Sequence, residues 1–372
     1  MRVKIQQSDL LPVLQSVSRS VGVKSTLPVL ANILIQTQSG KLKLSATNLE
    51  IGVVERVNCE ILEEGEITIP ARTFLEIIQA LPSEEIDIEA TPEILKITAK
   101  NFSANLNGIQ ASEFPTIPLS SEKSVDIKAD ILKTSIPQLS FAAASDEGRP
   151  VLTGILTELK KDSLELVATD GFRLARKTVK LEGSQDLSLR VLIPRRTFEE
   201  VVRLISEQQS NGEDETIKIS TSENQNQIIF KIGLTEVSSR LIEGNFPSWE
   251  KIIPVNIENR TIIDRDALLK AVKLASVFAR SESNIIKIQT QKNALKLSSE
   301  AKELGAQESS VEADSEGTEI TIAFNSRFLI EALSATTSAQ ISIEFSGSLS
   351  PALMKPVGEE GLQYVVMPIR LS

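Results

Sequence analysis

The sequence predicts an α+β protein in which one unit of sheet and helix occurs three times, and three sets of recurring segments carry that prediction. IPARTFLEIIQAL (69 to 81), IPRRTFEEVVRLI (193 to 205) and the weaker IAFNSRFLIEAL (322 to 333) set Phe74, Phe198 and Phe328 about a third of the chain apart. LPVLANILIQTQSGKLKLSATN (27 to 48), RPVLTGILTELKKDSLELVATD (149 to 170) and SNIIKIQTQKNALKLSSE (283 to 300) recur at nearly the same offset. SDLLPVLQSVSRS, ADILKTSIPQLSFAAAS and RDALLKAVKLASVFARS open the three blocks in the same order. A common order at a common spacing points to repeated domains, here expected over 1–120, 121–255 and 256–372.

Within each block the elements follow one order. A short strand (VKIQ, VDIK, RTIID) leads into a helix entered through Ser8 or Asp9, Asp130, or Asp264 and Asp266. Pro12 is tolerable in a first helical turn, whereas Pro137 should kink or shorten its helix. Two alternating strands follow, joined by tight turns at QSGK, LKKDS and TQKNA, and then further strands. A second helix begins at Pro-Ala-Arg or Pro-Arg-Arg, and strands close the block. Two helices cannot cover both faces of so much sheet, so they should pack together on one side. FPTIPLSSEKS (114 to 124) and FPSWEKIIPVNIENR (246 to 260) read as linkers, because a residue before proline is driven extended. SEQQSNGEDE (206 to 215) and EADSEGTE (312 to 319) read as exposed loops.

Composition narrows the chemistry. The chain has no histidine, which removes the usual base of serine and cysteine hydrolases and the commonest zinc ligand. Cys59 is the only cysteine and reads as a small buried hydrophobe, so no intrachain disulfide or thiolate metal site can form. No cofactor and no metal is implied. MRVKIQQSDL has no signal-peptide core and no window is apolar enough to span a bilayer, so a cytoplasmic protein is expected. The net charge of −10 argues against simple coating of nucleic acid, yet the six helical segments carry a small positive excess. Arg72, Arg196, Arg203, Lys270 and Lys273 contribute to it, and one reading is ordinary solvated helix faces with ion pairs. The other is a mildly basic face on an acidic body, suited to a polyanion held loosely. A single Trp and a single Tyr disfavour base-stacking platforms.

LVATDGFRLA (166 to 175) raises the question of whether Asp170 is a catalytic carboxylate or part of a turn. Together with LPVLANILIQ, FPSWEKIIP and the terminal YVVMPIRL, this segment makes the chain resemble the bacterial DNA polymerase III beta subunits, the sliding clamps, over essentially its whole length. The resemblance implies three clamp-type domains, with helices lining a ring and sheets outside. It further implies a head-to-tail homodimer that encircles double-stranded DNA without sequence preference, is not an enzyme, and tethers the replicative polymerase. The clamp loader, other polymerases and repair proteins would bind through short linear motifs; no membrane is involved.

The same resemblance assigns a peptide-motif site to Leu152, Thr169, Gly171, Phe172, Arg173, Leu174, Pro247, Lys251, Ile252, Leu349, Val365, Val366, Met367, Pro368, Ile369, Arg370 and Leu371, and makes Asp170 structural. Three features depart from the family pattern: Phe172 stands where histidine is common, Lys251 where some members carry arginine, and Ser372 follows the usual terminal leucine. Lys24 and Arg149 are expected on DNA along with the helix cations above. The dimer contact is expected to join Phe74, Ile77 and Ile78 to Val277, Phe278, Glu300 and Glu303, with Lys96 and Lys100 as basic partners. Two other readings remain: an adaptor that uses the same peptide site without enclosing DNA, and a carboxylate enzyme using Asp170 with Glu165 or Glu158.

Overall fold

A computed structural model describes residues 1–22, 27–146, 148–182, 188–208, 216–222, 226–281, 283–302 and 305–370. Lys24, Glu303 and Leu371 lie outside the described residues, as does most of the 206–215 segment. The described residues form six α-helices and twenty-five strands. The first block holds β1 (Arg2–Gln6), α1 (Gln7–Ser18), β2 (Asn32–Gln38), β3 (Lys41–Thr47), β4 (Ile51–Asn58), β5 (Glu60–Glu63), β6 (Glu66–Pro70), α2 (Ala71–Ala80), β7 (Glu85–Ala90), β8 (Ile94–Ala99) and β9 (Phe102–Asn107).

The second block repeats that order with β10 (Ser124–Lys128), α3 (Ala129–Leu139), β11 (Gly154–Lys160), β12 (Ser163–Thr169), β13 (Arg173–Lys180), β14 (Leu189–Pro194), α4 (Arg195–Gln208), β15 (Thr216–Thr221), β16 (Gln227–Ile232) and β17 (Thr235–Arg240). The third has β18 (Asn259–Asp264), α5 (Arg265–Ala279), β19 (Ile285–Gln291), β20 (Ala294–Ala301), β21 (Gly305–Gly317), β22 (Thr321–Asn325), α6 (Ser326–Ser334), β23 (Gln340–Phe345), β24 (Ala352–Pro356) and β25 (Leu362–Val366).

By contact the chain forms two compact units, Met1–Ala129 with Glu200–Leu241, and Asp130–Glu199 with Ile242–Ser372. The first unit contains a five-stranded sheet, β5-β1-β7-β8-β9, and an eight-stranded sheet, β10-β15-β16-β17-β4-β3-β2-β6. The second contains a twelve-stranded sheet, β14-β11-β12-β13-β25-β24-β23-β18-β21-β20-β19-β22. All recorded pairings between these strands are antiparallel.

Sequence periodicity explains most of this. Strands such as β8 alternate exposed and buried positions, as one solvated sheet face requires. Ser39 and Gly40 both have positive φ, 52° and 75°, the geometry of a two-residue hairpin turn whose twist matches the strands it joins. In α2 the buried positions Phe74 and Ile78 lie one turn apart. In the first and third blocks the two helices pack against each other, and α1 and α5 also lie on their own sheets. Asp264 caps α5 by accepting from Ala267 N at 2.7 Å.

Two expectations differ from the structure. Pro12 sits in the second turn of α1, and the helix runs through it because the carbonyl it orphans belongs to Ser8 on the exposed face. Pro137 fits its expected role, since α3 ends two residues later in a single 3-10 turn, Ser140–Ala142. Most of the 312–319 segment is strand: β21 continues to Gly317, its last five residues pairing with β18. Charged residues on its exposed face gave that half of the strand the composition of a loop.

Candidate functional site

The turn between β12 and β13 is held by its own side chains. Asp170 Oδ1 accepts from Phe172 N at 2.9 Å and Arg173 N at 3.0 Å, while Thr169 Oγ1 accepts from Gly171 N at 3.0 Å and donates to Arg173 O at 2.6 Å. Gly171 takes φ +92°, which an L side chain rarely adopts. Asp170 Oδ2 also accepts from Arg173 Nε at 3.1 Å. Every contact of this carboxylate thus serves the turn and its arginine, which fits a structural role.

β13 then pairs with β25, setting Leu174 opposite Val365 and Arg173 opposite Val366. Met367 N continues the ladder by donating to Phe172 O at 2.9 Å, and Ile369 N donates to Ala323 O at 2.8 Å. Because side chains alternate across a sheet, these pairs face opposite ways. Leu174 and Val365 join Leu156, Val167, Leu192, Leu353 and the single Trp249 in one buried cluster. Ile252, Phe246 and Val151 pack against its edge. Phe172 and Leu349 are 57% and 63% exposed, large values for apolar side chains. Met367, Pro368 and Ile369 are half-buried, whereas Pro247, Lys251 and Arg370 are exposed and Leu152 is buried.

Arg173 lies on the other face. Its guanidinium is bonded to Glu331 of α6, donates to Phe141 O at 2.6 Å, and stacks 4.7 Å from the Phe328 ring centre and 5.2 Å from that of Phe141. Phe172 lies nearly parallel to Phe328, with ring centres 6.5 Å apart. Arg173 and Val366, expected in the peptide site, are therefore taken up in joining β13 to α6 and in the opposite core. Phe328, Phe141, Glu331 and Trp249 carry much of the geometry here and lie outside the expected peptide site. Phe328 was visible in the helix repeat and Trp249 in FPSW, but neither segment showed where its side chain would point.

The expected DNA residues divide. Arg196, Lys270 and Lys273 are exposed, and Arg72 is exposed beside Glu76 at 2.9 Å. Arg203 does not suit phosphate contact: it is mostly buried and held by Glu200 and Glu207. Burial alone would lower its affinity for a proton, but the two carboxylates raise it. Arg149 reaches the turn instead, its Nη1 lying 3.3 Å from where a Cβ on Gly171 would stand. The expected dimer residues divide as well. Phe74 and Ile78 are fully buried in their own core and offer a partner nothing, Ile77 and Phe278 are half-buried, and Val277 and Glu300 are exposed.

Three family models match nearly the whole chain: the N-terminal domain of the DNA polymerase III beta subunit over residues 1–118, its central domain over 126–248 and its C-terminal domain over 250–370. The chain belongs to this family. It is 30% identical to the beta sliding clamp of Staphylococcus aureus strain Mu50 over 382 aligned residues, covering 100% of this chain and 99% of that one. Among solved structures, the DNA polymerase sliding clamp of Bacillus subtilis superposes with a TM-score of 0.94 at 28% identity, and covers 100% of both chains. The Pseudomonas aeruginosa sliding clamp bound to griselimycin gives 0.92 at 31% identity, again over 100% of both. The fold is thus three repeated clamp domains of the beta-subunit type. No helix among the described residues is long and apolar enough to cross a membrane.

Proposed function

We propose that this protein is a replicative processivity clamp that closes head-to-tail with a second copy around duplex DNA. Membership of the beta-subunit family supports the clamp function. One observation within the chain carries the ring: the same strand pairing occurs twice, and its third instance has two open edges. β4 of the first block pairs with β17, the last strand of the second. β13 of the second block pairs with β25, the last strand of the third. The equivalent strand of the third block is the first half of β21, which pairs with β20 on one side. The equivalent last strand of the first block is β9, which among the described residues pairs only with β8. Each is an unpaired edge, which native proteins generally cover or blunt. No recorded pairing joins these two edges within the chain, whereas two copies related head-to-tail would pair all four.

The register follows from the repeat. Glu55 faces Thr235 and Ile51 faces Ser239 at the first seam, and Lys177 faces Leu362 and Arg173 faces Val366 at the second. Carried to the open edges, this sets Ser309 against Phe102 and Gly305 against Leu106 of the partner subunit. Phe102, Ala104 and Leu106 share one face of β9 and are half-buried in the single chain. Gln307 Oε1 and Ser309 Oγ, on the facing edge, are buried without a hydrogen bond. β9 and β21 therefore replace Phe74 and Ile78 as the core of the proposed contact, with Val277, Phe278 and Glu300 beside it and Lys96 one strand away on β8.

Within this reading the domains are 1–120, 121–255 and 256–372, their helices face the hole and their sheets the rim, and the protein acts in the cytoplasm without catalysis. Lys270, Lys273, Arg196 and Arg72 supply weak, sequence-independent phosphate contacts, strong enough to attract DNA and weak enough to slide. The recess floored by Leu174 and Val365, rimmed by Phe172, Leu349, Met367, Pro368, Lys251 and Arg149, takes short linear motifs of the polymerase, clamp loader and repair proteins. Half-exposed methionine and proline suit ligands of varied sequence. Loaded protein is expected to stay on nicked circular DNA and to leave the same DNA after it is linearised. Equal loss from both forms rejects enclosure and leaves the adaptor reading.

A further inference from the structure

The two seams inside the chain differ at one equivalent position. Glu55 of β4 and Lys177 of β13 hold the same place in the repeat, opposite Thr235 and Leu362. Lys177 is buried with its charge met: Nζ donates to Glu359 Oε1 at 2.7 Å, an oxygen that also accepts from Gln138 Nε2 at 2.7 Å. Among the described residues Glu55 has no counterpart of Glu359. Its Oε2 is buried without a hydrogen bond, and so is the neighbouring Ser16 Oγ. Both groups line a cleft of about 390 Å³ with Val13 of α1, Leu204 and Glu207 of α4, and Leu234.

The charged groups around this cleft are already engaged with one another. From α4, Arg203 is held by Glu200 and Glu207, and Glu207 is itself an acid facing the cleft. From the end of α1, Arg19 reaches Glu207 at 3.7 Å. On β4, Arg56 pairs with Glu236 of β17 at 2.9 Å, and Lys43 of β3 lies beyond it. On β17, Thr235 Oγ1 accepts from Gln208 Nε2 at 2.8 Å. Glu236 shows what compensation does: burial would raise its carboxyl, but Ser120 N–H and Arg56 hold it below the usual carboxylate range. At Glu55 burial, with the charge of Glu207 added, prevails over Arg203 and the nearby Ser16 and Thr235 hydroxyls, and pushes the carboxyl up to about 7.

We propose that Glu55 is a proton-operated latch on the seam between the first two blocks: the protonated carboxyl lets α1 and α4 close over it, and the carboxylate loosens that seam. Once ionised, the group has two ways to lower its energy: admitting water into the cleft, which parts α4 from α1, or drawing Arg203 off Glu200 and Glu207, which costs α4 those ion pairs. The closed seam keeps its proton up to about 7, while the opened chain releases it near 4.5, so closure weakens as pH rises from 4.5 through 7 and stays weak above. The second seam has Lys177 bonded to Glu359 at the equivalent place, with no unbonded carboxylate there, and serves as the reference.

The test is amide hydrogen exchange on the full-length protein at pH 6 and pH 8, corrected for the intrinsic exchange rate. Linkage between those two limits allows opening of β4 and β17 to increase by up to about tenfold, with β13 and β25 as the internal reference. The isosteric Glu55→Gln variant is expected to hold β4–β17 protection level across the same range. Wild-type protection of β4 and β17 that does not change with pH overturns the proposal, and so does a Glu55→Gln protein that keeps the full wild-type pH dependence.

Discussion

Replacing Phe102 and Leu106 together by alanine tests the open-edge argument most directly. Their equivalents at the first seam, Thr235 and Ser239, are 0% and 1% exposed, and those at the second, Leu362 and Val366, are both 1% exposed. Phe102 and Leu106 are only half-buried in the single chain, so strand pairing is what would cover the remainder. Full burial of such a side chain contributes about 1.5–3 kcal/mol, and with most of each already covered the two truncations cost about 1–2 kcal/mol per contact. A two-member ring uses the contact twice. The loss is then about 2–4 kcal/mol, which raises the dimer Kd by about 30- to 10³-fold. Sedimentation velocity over a dilution series reads the shift, and thermal melting monitored by circular dichroism checks that each chain remains folded. A folded double variant that still sediments as the wild-type dimer at the lowest concentrations refutes the edge pairing and the register carried over from the internal seams.

The remaining predictions concern the turn, the helix cations and the peptide recess. Asp170→Ala removes the acceptor for two backbone N–H groups and Arg173 Nε, and is expected to cost about 2–4 kcal/mol of stability, read as a lower Tm, with dimerisation unchanged. Lys270→Ala with Lys273→Ala should flatten the salt dependence of DNA binding, reducing its log–log slope by about 2, whereas Arg203→Ala should leave that slope as it is. An unchanged slope in the lysine pair removes α5 from the DNA face. Phe172→His exchanges an exposed ring stacked on Phe328 for a polar one, and should alter the relative affinities of motif peptides measured by fluorescence anisotropy. An identical ranking of peptides by both proteins would take Phe172 out of the recognition surface.

Much of the fold was legible because local chemistry and repetition agreed. The Phe74, Phe198 and Phe328 helices, the hairpin at Ser39–Gly40, the Asp264 cap and the turn role of Asp170 each follow from residue types within a few positions, where conformational preference and periodicity act. The exposed acidic half of β21 was read as loop, since side chains facing water say little about the ladder behind them. Arg203 shows a related limit: its sequence neighbours Glu200 and Glu207 were in view, but only the folded helix brings both onto it.

The sequence alone determined that one unit recurs three times, that histidine and paired-cysteine chemistry is absent, and that a sharp Asp-Gly turn precedes β13. These are properties of composition and short range, which the chain carries before it folds. Tertiary structure decided which face each side chain takes: Leu174 to the Trp249 cluster and Arg173 to α6, Arg149 to the Gly171 turn, Phe74 to its own core, and Glu55 to a cleft where its Oε2 has no hydrogen bond. Strand pairing between distant blocks makes those assignments, because the partner across a sheet sets the register, and the register sets the side to which every residue points.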